Sequence, residues 1–305
     1  MRTIGQPSPT RKQDADGRSA RECFALPTVD RTMEANLQRR LQRYGWDRAA
    51  DDYELLWQTQ LARAQTELLA RAAIAPGERV LDVACGTGLV TFAAARACGE
   101  SGSVIGVDLS EQMIVTARRS AERDGITNVE FARMDAERLA FPDASFDVVL
   151  CALGLMYVPH PERALREMRR VLRPGGRLGV SVWGERSQCG WASVFEIVDA
   201  EVASEVCPLF FSLGQKDALT MLCEHAGFER IEQHRLTTTL DYATGEEACD
   251  AAFVGGPVAL AWSRFDADVR ARARKRYLET IDAWRQDSAY RLPGEFVIVS
   301  AASAG

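Results

Sequence analysis

The chain of 305 residues contains no apolar run long enough to span a membrane, and no signal-like apolar segment stands near its N-terminus. Neither a helical membrane protein nor a secreted one is expected. Its eight cysteines include no Cys-x-x-Cys pair and no Cys/His spacing of a zinc site. No metal centre is therefore expected, and free thiols fit a reducing cytoplasm. Histidine is scarce, with three residues, and the net charge of −6 leaves no concentrated basic face. A nucleic-acid partner needs such a face, so none is expected. What remains is 47% hydrophobic and 26% charged, an ordinary globular composition able to bury a substantial core. No internal repeat is present.

The organising stretch is Val80-Leu81-Asp82-Val83-Ala84-Cys85-Gly86-Thr87-Gly88. A short apolar run suits a strand buried on both faces, and the Ala-rich segment Leu89 to Cys98 favours a helix. Between them, Gly-Thr-Gly lets the backbone approach a ligand without a Cβ in the way. Strand, glycine turn and helix begin a nucleotide-binding βαβ unit; an ordinary tight βα turn is the bland alternative. Two later acids favour the first reading. Ser103 to Asp108 and Val129 to Asp135 read as second and third strands, each closing on an acid. Open α/β sheets bind ligands at the carboxyl ends of their strands, where Asp82, Asp108 and Asp135 would gather.

Asp82 to Gly88, Val107-Asp108-Leu109-Ser110, Met134-Asp135-Ala136 and Arg173-Pro174-Gly175-Gly176 together resemble the class I S-adenosylmethionine-dependent methyltransferases. The similarity is greatest to the small-molecule branch that includes the ubiquinone and menaquinone biosynthesis methyltransferases. It runs from about Tyr44 to Gly184, with a weaker echo at Phe211 to Gly214 and Ala226 to Phe228. The resemblance implies a Rossmann-like α/β fold with a seven-stranded, mostly parallel sheet. Its order would be 3-2-1-4-5-7-6, with the last strand antiparallel and helices on both faces.

The resemblance also implies S-adenosyl-L-methionine as cofactor and S-adenosyl-L-homocysteine as product. Asp82, with Ala84, Gly86, Thr87 and Gly88, would hold the methionine and ribose side. Asp108 and Leu109 would meet the ribose, and Met113 the adenine face. Met134, Asp135 and Ala136 would take the adenine, with Asp135 on its amino group. Cys151 and Ala152 would contact the methionyl part through their backbone.

The acceptor is expected to be a small molecule, with no base assignable to it. Tyr53, Trp57, Met156, Tyr157 and Trp183 are candidates to line a partly apolar acceptor pocket. Tyr53 and Trp57 share one helix face. Tyr157 and His160 are the catalytic candidates, since both follow the end of the fourth strand. Thr91 stands where the third small residue of a nicotinamide-binding turn would be, so an NAD-dependent oxidoreductase fits poorly. A cofactor-binding scaffold without activity is a further alternative.

In chain order, Met1 to Glu34 reads as a disordered tail, in which Cys23 and Phe24 could dock on the body or on a second subunit of a homodimer. Residues 35–305 read as a single domain. Residues 35–76 would form a helical cover of two helices, the second with Leu55, Leu56, Leu61, Leu68 and Leu69 toward the core. Residues 77–184 would form the cofactor-binding core, and 185–305 a lid, helical over Trp191 to Cys207, and the completion of the sheet. Asp147 begins the fourth strand at the opposite end from the site and is expected to be structural.

Overall fold

The structure, a computed structural model, describes residues 31–202 and 209–305. Most of the expected tail, with Cys23 and Phe24, and the end of the expected lid helix at 203–207 lie outside these residues.

Helix α1 (Arg31–Ala72) is continuous over 42 residues, where two helices were expected. It also starts four residues before the expected tail boundary. No proline falls within it, and its single glycine, Gly45, costs roughly 1 kcal/mol of helix propensity without breaking the helix. A Cβ on Gly45 would make only an ordinary contact, 3.8 Å from Leu260 in α8 (Ala259–Arg264). The buried stripe of α1 is Trp57, Leu61, Ala64, Leu68 and Ala72, at the spacing of one helix face. Leu55 falls off that stripe and is 85% exposed, so its expected core role is incorrect.

The chain then alternates strands and helices: β1 (Arg79–Val83), α2 (Leu89–Cys98), β2 (Ser103–Asp108), α3 (Glu111–Asp124), β3 (Val129–Arg133) and β4 (Phe146–Ala152). A second series follows, with α4 (Pro161–Val171), β5 (Leu172–Trp183), α5 (Ser193–Val202), α6 (Ala218–His225) and β6 (Phe228–Tyr242). After α7 (Gly245–Phe253), α8 and α9 (Ala267–Ile281), a two-residue β7 (Arg285–Gln286) leads into β8 (Ala289–Ser303). The sheet order is β3-β2-β1-β4-β5-β8-β6, with β7 paired on β8. Strands β1 to β5 pair in parallel, and β8 runs antiparallel between β5 and β6. This is the expected order, with the expected seventh strand appearing as β8 because the short β7 precedes it.

Alternation along β4 places helices on both faces. Val149 and Cys151 join Leu81 and Val83 in a core with Trp57, Leu61 and Leu68 of α1 and Leu165 and Met168 of α4. Val148 and Leu150 join Val80 and Val104 in a core against Val90, Ala94 and Cys98 of α2. Asp147 accepts the Arg79 backbone N–H at 2.7 Å and pairs with Arg173. It therefore ties strand starts together, away from the carboxyl edge.

Candidate functional site

The carboxyl ends of β1, β2 and β4 meet under α1. At the end of β1, Ala84 adopts φ 58°, Gly86 56° and Gly88 94°. Leu153, just past β4, sits at φ 59°. Left-handed backbone at Ala84 and Leu153 is strained for residues with a Cβ, and such strain concentrates where backbone is shaped around a ligand. Gly154 makes the approach possible, because a Cβ there would overlap that of Ala84.

Asp82 is fully buried. Its Oδ2 accepts the Thr91 hydroxyl at 2.6 Å, and its Oδ1 meets no donor among the described residues. Burial pushes Asp82 up to about 7, opposed by the Thr91 hydrogen bond and reinforced by the charge of Asp108. The buried Thr87 hydroxyl also meets no partner among the described residues. Orphan buried polar atoms are rare in proteins, and a bound polar ligand is one thing that satisfies them.

Asp108 accepts two backbone N–H groups, from Gly86 at 2.9 Å and Ser110 at 2.8 Å. Burial raises its pKa while those bonds hold it down. Ser110 caps α3 by accepting the Met113 N–H at 3.2 Å, and its hydroxyl donates to Asp47 of α1 at 2.6 Å. Asp135 accepts the Glu137 N–H at 2.9 Å and lies 3.1 Å from Arg39 Nε of α1.

Asp108 and Asp135 border an open cleft along this edge of the sheet. Tyr53, Ala84, Gly86, Asp108, Leu109, Met113, Met134, Asp135, Ala136, Ala152 and Tyr157 line it. Asp82 and Thr87 border a smaller recess that continues past Ala84, Gly86 and Ala152. Gly88 lines neither recess and instead caps α2. The Cys151 side chain is buried in the core, and its thiol is pushed up to about 12 chiefly by burial.

Trp46, Tyr53, Leu153 and Tyr157 border both the cleft and a second, smaller chamber. Trp57, Leu61, Met156, Trp183, Trp191, Gly256 and Pro257 complete the chamber wall. Trp46 makes edge contacts with Tyr53 and Tyr157 at 5.6 and 5.1 Å, and Trp57 does so with Trp183 and Trp191 at 5.9 and 5.6 Å. All five expected acceptor-pocket residues thus wall one chamber. Of the two catalytic candidates, Tyr157 stands at the junction. His160 is exposed at the start of α4, outside the lining of both cavities.

Sequence reasoning missed Arg39, Gln42, Gly154 and Trp191. Arg39, Gln42, Trp46 and Tyr53 recur at helical spacing on one face of α1. That spacing was available once α1 was seen as one helix.

A strand-edge cleft beside a glycine turn, lined by Asp108 and Asp135 with Asp82 in the adjoining recess, lies where open α/β sheets bind ligands. A family model described as a methyltransferase domain matches residues 80–176. A ubiquinone/menaquinone biosynthesis C-methyltransferase, UbiE, of Azotobacter vinelandii is 36% identical over 176 residues, covering 53% of this chain and 70% of the relative. The chain belongs to the class I S-adenosylmethionine-dependent methyltransferases and resembles UbiE.

Solved structures agree on the fold. A Bacillus halodurans protein assigned to the methyltransferases superposes with a TM-score of 0.59 at 24% identity, over 80% of this chain and 100% of its own. Phosphoethanolamine N-methyltransferase 2 of Haemonchus contortus, solved with S-adenosyl-L-methionine, gives 0.56 at 17% identity, over 85% and 57%. Among the described residues no helix is long and apolar enough to cross a membrane.

Proposed function

We propose that the cleft holds S-adenosyl-L-methionine and that the aromatic chamber receives a small, largely apolar methyl acceptor. The observation that carries this reading is the shared border of Trp46, Tyr53, Leu153 and Tyr157, which joins the cleft to the chamber. The bound cofactor supplies an electrophilic methyl on a cationic sulfonium.

The residues fit that group. Orphan oxygens on Asp82 and Thr87 suit a cationic, hydrogen-bonding methionine end, and Asp108 suits a pair of ribose hydroxyls. Asp135, between Met134 and Ala136, suits the amino group of the adenine. Met113 offers an apolar surface to its ring.

Among the described residues, the chamber wall contains no carboxylate, imidazole or ammonium. The acceptor it suits is uncharged there, since an unpaired buried charge is costly. Trp57 and Trp191 are buried, and their indole N–H groups meet no acceptor among the described residues. An oxygen on the methyl acceptor would satisfy them. Tyr53 is a poor base: burial and the neighbouring Asp108 keep its phenol protonated. At the junction, Tyr53 and Tyr157 would hold the acceptor against the cleft and exclude water.

Parallel calorimetric titrations with S-adenosylmethionine, S-adenosylhomocysteine and NAD test the cofactor. Binding of the two adenosyl ligands without NAD is expected; binding of NAD alone would overturn the reading. An acceptor screen then tests the chamber. Turnover of phenols or quinols is expected, whereas reaction confined to amino acids or thiols would reject an apolar acceptor.

A further inference from the structure

Arg39 stands in the cleft, yet it comes from the cover helix rather than from the sheet. Two of its nitrogens donate hydrogen bonds, and Nε is paired with Asp135 by charge, without hydrogen-bond geometry. Nη1 donates to Asn36 one turn earlier at 3.0 Å, Nη2 donates to Glu137 at 2.5 Å, and Nε lies 3.1 Å from Asp135. Glu137 is only 2% exposed, and its other oxygen accepts the His160 N–H at 3.3 Å. Asp135 and Glu137 are thus two carboxylates two residues apart, one of them buried, with Arg39 between them. Removing that cation leaves a buried charge unpaired and sets two like charges against each other.

We infer that Arg39 is a positioning residue for recognition of the cofactor's base: it holds the Asp135 carboxylate in place so that it accepts the exocyclic amino group. The inference rests on the proposed contact between Asp135 and the adenine. It adds that base recognition depends on a residue of α1. Docking of the cover helix and cofactor binding therefore strengthen one another, because linkage is reciprocal.

The test compares two ligands on two proteins by calorimetry: S-adenosylhomocysteine and its analogue lacking the 6-amino group, on the wild type and on Arg39→Gln. A hydrogen bond to a charged group gives about tenfold or greater preference for the amino ligand in the wild type. In Arg39→Gln the preference is expected to fall to about twofold or less, while Arg39→Lys, which keeps the charge, restores part of it.

A purely structural role would weaken both ligands equally and leave the preference intact, and that result overturns the inference. So does an unaltered Arg39→Gln. Equal binding of both ligands by the wild type removes the Asp135 contact and the inference with it. Arg39→Lys keeps the test open if the glutamine variant does not fold.

Discussion

The carboxylate of Asp108 at the end of β2 accepts the backbone N–H of Gly86 at 2.9 Å. The acid assigned to the ribose and the glycine turn beneath it are therefore one structural unit. Asp108→Ala removes both a charged acceptor and the anchor of the turn. Loss of charge-assisted hydrogen bonds worth about 1.5–3 kcal/mol weakens S-adenosylhomocysteine binding roughly 10- to 150-fold. Asp108→Asn, which keeps an acceptor for Gly86, is expected to fall between. Calorimetric affinities equal to wild type would remove the ribose assignment.

Asp82 gives the site a pH dependence whose sign follows from burial. Its native value of about 7 stands above the ordinary 3.8, so the folded state holds the proton more tightly than the unfolded chain. Its contribution to stability is complete below about pH 4 and is lost as pH rises through about 7. A cationic ligand end favours the ionised form, so S-adenosylmethionine affinity should rise from pH 6 toward 8 and then level off. Titrations near neutrality in two buffers of different ionisation heat should report a proton released on binding. Asp82→Asn should flatten the profile. A flat profile in the wild type would show that Asp82 does not face the cationic end.

The start of the sheet was legible because β1 and β2 are short, largely apolar runs and the first three strands lead to informative residues: Gly86 beyond β1, Asp108 on β2, Asp135 beyond β3. Local signals at those positions agree with the tertiary structure. The cover helix was less legible. Two helices were expected where one continuous helix runs through Gly45, because contacts with elements far along the chain hold it together. Leu55 resembles its buried neighbours in type but lies off the stripe that Trp57, Leu61 and Leu68 define. Arg39 was invisible for a different reason. Its partners Asp135 and Glu137 are almost a hundred residues away, and nothing near it in sequence marks an arginine in a cleft as opposed to one in water.

Gly154 separates the ends of β1 and β4, where a methyl group would overlap the Cβ of Ala84. Gly154→Ala forces those strand ends apart without changing any polar group. Overpacking of this kind costs about 1–3 kcal/mol. Thermal melting should show a lower midpoint, and cofactor affinity should fall with it, since Ala84 and Gly154 both line the cleft. A variant as stable and as tight-binding as wild type would mean that the two strand ends relax freely.

The hydroxyl of Ser110 makes two contacts: it caps α3 by accepting the Met113 N–H, and it donates to Asp47 of α1 at 2.6 Å. Ser110→Ala loses both, and a cap alone is worth about 1 kcal/mol. Asp47→Ala leaves the cap in place and loses the tie between helices, together with the longer contact to the Gln112 N–H at 3.3 Å. Urea unfolding of the two single variants and the double should give a coupling of about 0.5–1 kcal/mol, as expected for directly bonded partners. Hydrogen exchange separates the two roles. Asp47→Ala should speed exchange in the first half of α1 and leave α3 protected, whereas Ser110→Ala should loosen both. If Asp47→Ala leaves the exchange of α1 unchanged, the helix is held to the site by its apolar face and by Arg39, and the tie to Ser110 contributes little.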